Sequence, residues 1–168
     1  DSRVSRGLGD VYKRQNALDA LTTGAITATI STTEIGTLAT LTANTGTTAN
    51  AYTITVGGTE LLAADLNTVA GLTSVANGVT ANNATKVTGT ADAVKDVYVT
   101  NIAKFTGITN EAITLTDTAL NADTLAAIDT PATGLITASS TTSISGTLTN
   151  VTNAFTKSAT GTAAVSYT

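Results

Sequence analysis

Residues 51–70 read AYTITVGGTELLAADLNTVA, and residues 110–129 read NEAITLTDTALNADTLAAID. Ile54-Thr55-Val56 in the first stretch is echoed by Ile113-Thr114-Leu115 in the second, 59 positions later. The offset then holds: Leu61 matches Leu120, Ala63 matches Ala122, Leu66 matches Leu125, and Val69 matches Ile128. Self-similarity at a fixed spacing is the mark of a repeat architecture, in which each unit buries its apolar face against its neighbours.

A shorter unit lies inside the echo. It opens with a β-branched residue, a threonine and a small or aliphatic residue. The clearest openings are Ile26-Thr27-Ala28, Ile54-Thr55-Val56, Val79-Thr80-Ala81, Ile113-Thr114-Leu115 and Ile136-Thr137-Ala138. They are spaced 23 to 34 positions apart, within the range of repeat units. A sixth opening, near Val165-Ser166-Tyr167, is cut short.

After each opening the apolar period changes from two to about 3.6. Ile35, Leu38 and Leu41 form the first stripe, and Leu62, Leu66 and Val69 the second. Val94 and Val97, with Tyr98 beside them, form the third, and Leu125 and Ile128 the fourth. Ile144, Leu148, Val151 and Phe155 form the fifth. This spacing places one apolar stripe on a short helix. Thr33, Thr90 and Asn121 stand where helices should begin, as residues able to accept from orphan N–H groups. Pro131 stops the stripe that ends at Ile128.

The expected fold class is therefore α/β: a repeat solenoid of short parallel strands alternating with short helices. Strands line one side, helices pack on the other, and the crossovers are right-handed. Gly89-Thr90 and Gly146-Thr147 fall in the helical stretches, and glycine inside a helix costs about 1 kcal/mol against alanine. An all-β solenoid is the alternative.

Composition agrees with a layered core. The chain holds 40 threonines, and hydrophobic residues make up 42% of it but aromatics only 4%. The core must be built from Ile, Leu, Val and Ala. This suits a narrow stack better than a globule centred on bulky rings. Arg3, Arg6, Lys13 and Arg14 are half of the eight basic residues. Residues 1–15, DSRVSRGLGDVYKRQ, break with everything after them and resemble translated adaptor sequence, to be set apart from fold reasoning. Residues 16–168 are expected to be an array of about five to six strand–helix units, truncated at one or both ends. They carry four basic against ten acidic residues, so nucleic acid, which is bound through Lys and Arg on phosphates, is not an expected partner. No apolar run approaches the ~18 residues of a membrane span.

Chemistry is sparse. The chain has no histidine and no cysteine, which removes His-based triads, zinc motifs and thiol nucleophiles. Asp117 with Asp123, or Asp92 with Asp96, are the carboxylate pairs that glycoside hydrolysis would need. Turn, cap and solvated-face roles explain them more simply. Asp117, Asp123 and Asp129, spaced six apart, are the candidate calcium ligands, since calcium gathers six to eight oxygens. They lack a DxDxDG loop, so the expectation is no cofactor, with calcium as the alternative. Gly57-Gly58 lacks the spacing of a phosphate loop and reads as a turn. Thr27/Thr29, Thr53/Thr55 and Thr114/Thr116 form a partial Thr-x-Thr array of the kind that would meet glycans or ice.

The stretches NALDALTTGAITATISTTEIGTLATLT, NAYTITVGGTELLAADLNTV and NEAITLTDTALNADTLAAIDT resemble the Thr/Ala-rich repeats of very large adhesin-like proteins of bacteria, many of them aquatic bacteria and cyanobacteria. The resemblance covers nearly all of residues 16–168. It implies an extracellular or cell-surface setting. With the sparse chemistry and the stacking of short units, the expected role is a non-catalytic segment acting as a stacked spacer or adhesive rod. The implied partners are neighbouring repeats of the same chain, and surface glycans or other cells. The alternatives are a calcium- or glycan-binding module of an adhesin and a phage fibre segment.

Overall fold

All five openings fall on strands in the computed structural model, which describes residues 17, 21, 24–30, 33–38, 40–41, 49–160 and 165–166. The segment 1–15 lies outside the described residues. In chain order come β1 (Thr27–Ile30), α1 (Ile35–Leu38), β2 (Ala51–Thr55), β3 (Glu60–Leu62), α2 (Ala63–Gly71), β4 (Val79–Thr80) and β5 (Lys86–Gly89). Then α3 (Ala91–Lys95) runs on into a π turn (Asp96–Thr100) and a 3-10 turn (Ile102–Lys104). There follow β6 (Phe105–Thr106), β7 (Ala112–Leu115), β8 (Ala119–Asn121), α4 (Ala122–Asp129), β9 (Ile136–Thr137), β10 (Ser143–Ser145), α5 (Leu148–Thr160) and β11 (Val165–Ser166). The chain is α/β, with helices and parallel sheets, and not the all-β alternative.

Among the described residues the strands form three sheets, ordered β1-β2-β4-β6, β11-β9-β7-β5-β3 and β10-β8. Every pairing among them is parallel. Partners such as Thr29↔Thr53, Ile54↔Val79, Val79↔Phe105, Val87↔Ile113, Ile113↔Ile136 and Leu120↔Ile144 are 23 to 26 positions apart. A parallel pair needs a crossover of a dozen residues or more, and the intervening turns and short helices supply it. The sixth opening also forms a strand, with Val165 paired to Ile136.

The openings do not share one sheet, as the sequence led us to expect. The first three lie in the first sheet, and Ile113 and Ile136 lie in the second. Ile54 and Ile113, matched in sequence, are therefore not in one ladder. The cause is the excursion of the π turn, 3-10 turn and β6. Phe105-Thr106 takes the place beside β4, and β7 joins β5 instead.

Alternation sets the faces. Tyr52, Ile54 and Val56 are buried while Thr53 and Thr55 are exposed. Leu61, Val87, Ile113 and Ile136 are successive partners in the second sheet and are all buried. Leu38, Leu41, Leu66, Val69, Val94, Val97, Tyr98, Leu125 and Ile128 are buried as their stripes predict. Fully burying an aliphatic side chain of this size stabilises by roughly 1.5–3 kcal/mol.

Two stripes need correction. Leu62 is 55% exposed, because it ends β3 and points outward. Ala63 replaces it on the buried face of α2. In α5, Leu148 is 83% and Phe155 55% exposed. That helix turns its Ala154 side inward, so Leu148 and Phe155 point outward, while Val151 is half-buried and Ile144, before the helix, packs against the core.

Two of the three expected caps, Thr90 and Asn121, bond to their helix starts. The Thr90 hydroxyl accepts from the Ala93 N–H at 3.3 Å. Asn121 Oδ1 accepts from the N–H groups of Asp123 (2.8 Å) and Thr124 (3.2 Å). The glycines that argued against helices sit outside them. Gly89 ends β5 and Gly146 precedes α5. A Cβ on Gly89 would lie 2.9 Å from the Cβ of Ala63, and one on Gly146 would lie 3.2 Å from that of Ala122. Small residues are required there because each strand-to-helix corner rests on the one before it.

Candidate functional site

The three aspartates read as calcium candidates have separate duties. Asp117 Oδ2 accepts from the Ala91 N–H at 2.8 Å, satisfying the first residue of α3, 26 positions earlier. Asp123 Oδ1 accepts from Thr147 Oγ1 at 2.7 Å and Asn150 Nδ2 at 2.8 Å, at the start of α5. The Thr147 N–H donates to the same carboxylate. These bonds, from Asn150 first and then Thr147, hold the Asp123 carboxyl below the usual carboxylate range. Asp129 lines a cavity of about 200 Å³ between α4 and α5, with Leu125, Ala126, Asn150, Asn153 and Ala154. Small-molecule sites usually occupy ~300–1,000 Å³, so this gap is undersized for one. Among the described residues no three acidic side chains gather where a metal ion could sit.

The carboxylate pairs fare similarly. Asp117 and Asp123 serve helices on opposite sides of their own layer. Asp92 stands in the first turn of α3, and Asp96 accepts from the Thr100 hydroxyl at 3.2 Å. Gly57-Gly58 lies in the irregular connection between β2 and β3. Gly58 has φ +100°, and the Gly57 N–H donates to the Thr33 carbonyl at 2.8 Å. Since β3 intervenes before α2, the loop does not lead into the N-terminus of the helix that follows it.

Composition alone could not show which distant carbonyls the hydroxyl side chains reach. Thr85 donates both its N–H (2.8 Å) and its Oγ1 (3.0 Å) to the Thr59 carbonyl. Thr133 does the same to Thr109, Thr142 to Thr118, and Ser74 to Asn50, each 24 positions away. One carbonyl thus takes two donors from a single residue, and at Thr59 and Thr118 it also takes the N–H of the next residue, Lys86 (3.0 Å) or Ser143 (3.2 Å). Replacing Thr85, Thr133 and Thr142 together with valine keeps the β-branched shape and removes three such bonds. About 0.5–1 kcal/mol is expected for each, with near-additive loss because the sites are separate. Denaturant titration of the single and triple variants measures it. A triple variant as stable as the parent would show that these hydroxyls do not clamp the layers.

Buried polar groups form a second layer of detail. Asn50 Nδ2 donates to the Tyr52 hydroxyl at 2.7 Å, and Thr73 Oγ1 donates to the Tyr52 carbonyl at 2.6 Å. Lys104 Nζ donates to the Thr73 carbonyl at 2.7 Å. The Tyr98 hydroxyl donates to Glu111 Oε2 at 3.1 Å. Glu111 is only 2% exposed, and its Oε1 has no hydrogen-bond partner among the described residues. Burial first, and then the Glu111 charge and hydrogen bond, push the Tyr98 hydroxyl well above the usual tyrosine range. The sequence marks Tyr98 as core but carries no sign that Glu111 would meet it. The two approach only through the excursion at 96–111.

Comparison with protein-family models, curated proteins and solved structures returns no match. Among the described residues no helix is long and apolar enough to cross a membrane.

Proposed function

We propose that the chain is a solenoid segment of a large secreted or cell-surface protein, non-catalytic, acting as a stacked spacer or adhesive rod. The observation that carries this reading is the run of parallel ladders whose partners stand 23 to 26 positions apart. Such a chain grows along one axis, each layer resting on the last. The polar side chains support it: Asp117, Asp123, Thr85, Thr133 and Thr142 all bond from one layer to the next. The adhesive half of the reading draws on the outward threonines that align across the first sheet as Thr55↔Thr80↔Thr106 and Thr29↔Thr53. The extracellular setting rests on the resemblance to adhesin repeats.

Small-angle scattering tests the rod. A head-to-tail tandem whose second copy begins at residue 16 should nearly double the maximum dimension of the single chain at an unchanged cross-section. A tandem that thickens, or that scatters as two independently tumbling bodies, rules the rod out. Millimolar calcium is expected to leave the melting temperature unchanged, because Asp117 and Asp123 already serve helix starts. A marked rise would favour the calcium-binding module instead.

A further inference from the structure

We infer that the buried Tyr98–Glu111 pair is a registry key, holding β7 in the second sheet beside β5 against an alternative place in the first sheet beside β4. The place beside β4 is held here by Phe105-Thr106 of β6, which β7 would have to displace, but the dipeptide it offers matches that of β5. In the second sheet Ile113-Thr114 pairs with Val87-Thr88, and in the first sheet Val79-Thr80 stands as the same dipeptide. Ile113-Thr114-Leu115 also carries the pattern of Ile54-Thr55-Val56 and Val79-Thr80-Ala81, whose strands both lie in the first sheet. With β7 beside β4, all five openings would share one sheet, and Leu61, Val87, Leu120 and Ile144 could share the other. Both places offer a buried valine followed by a half-buried threonine, so inward–outward alternation alone does not choose between them.

The observed arrangement differs from that alternative by the excursion between α3 and β7. Its π turn carries Tyr98, and its last residue before β7 is Glu111. Glu111 lies two positions before Ile113 and would leave Tyr98 if β7 moved. A buried carboxyl bonded through one oxygen, with Oε1 orphaned among the described residues, is a poor source of net stability. The best-attested use of such buried polar groups is to fix register. The inference concerns which strand joins which sheet, and it stands whether or not the chain acts as a rod.

The chain has no cysteine, so engineered pairs report register cleanly. Thr88→Cys with Thr114→Cys joins partners of the observed ladder, and Thr80→Cys with Thr114→Cys joins partners of the alternative. In the otherwise unchanged chain the first pair should form a disulfide and the second should not. In a Tyr98→Phe/Glu111→Leu background the second disulfide should appear and the yield of the first should fall. The inference is overturned if the second pair stays reduced in that background while the first still closes. It is equally overturned if the second closes in the unchanged chain. Should the double replacement not melt cooperatively, Tyr98→Phe alone, which removes a single hydroxyl, carries the same two cysteine pairs and is judged by the same outcomes.

Discussion

Gly134→Ala is expected to cost about 3 kcal/mol, at the upper end of what overpacking usually does. The expected fall in melting temperature is roughly 6–12 °C at this chain length. A Cβ on Gly134 would stand within van der Waals overlap of the Glu111 carbonyl oxygen, 2.5 Å from its carbon and 2.8 Å from the Asn110 oxygen. All three are backbone atoms, so no side chain can swing away. Relief requires β9 to draw back from β7, where Ile113 donates its N–H to the Leu135 carbonyl at 2.8 Å. The same replacement at Gly71 should go the other way. Gly71 is the last residue of α2, and a Cβ there would meet nothing within 4 Å. Alanine at this position should stabilise by about 0.4–1 kcal/mol. Opposite signs in parallel thermal melts are the expected result. Equal small effects would mean that the Gly134 contact relaxes freely.

Tyr98→Phe is expected to destabilise by about 2–3 kcal/mol, because it removes the hydroxyl that donates to the buried Glu111 carboxyl. Tyr98→Phe/Glu111→Leu should recover most or all of that loss, since two apolar groups of similar shape leave nothing unsatisfied. The four corners of the cycle isolate the coupling. Additive losses would show that the pair does not act as a unit. A pH dependence accompanies this. The folded-state pKa of Tyr98 is raised, so its contribution is fully present below about pH 10, the ordinary tyrosine value. Above that the unfolded chain releases a proton that the folded chain retains. Stability then falls by up to ~1.4 kcal/mol per pH unit from this group. The parent should lose stability more steeply than Tyr98→Phe above pH 10. Parallel slopes would remove Tyr98 from the alkaline transition. Recovery of stability in the double variant is compatible with loss of register, because a buried polar pair can select one arrangement while weakening it.

Much of the local structure was legible in the residues. The five openings became strands because Ile and Val beside Thr suit a pleated, half-buried surface. The stripes of α1 to α4 were legible because apolar residues recurring every three or four positions mark a single helix face. Thr90 and Asn121 were legible as caps because their side chains act within three residues. The second set of strands was not: β3, β6, β8 and β10 lack a β-branched residue followed by threonine, and Val87-Thr88 of β5 runs into Gly89. The outward turn of Leu148 and Phe155 was also hidden, since a stripe gives a helix an apolar face without saying where a neighbour will stand.

By itself the amino-acid order determined an α/β chain of short strands and one-faced helices, aliphatic inside, without histidine or thiol chemistry. Those properties follow from side-chain type and near-neighbour spacing. Only the tertiary structure decided that β7 pairs with Val87 and not with Val79, that Asp117 and Asp123 bond to the starts of α3 and α5, and that Glu111 is buried against Tyr98. Each of these joins residues 13 to 26 positions apart. At such separations the choice of partner is made by packing among surfaces that resemble one another.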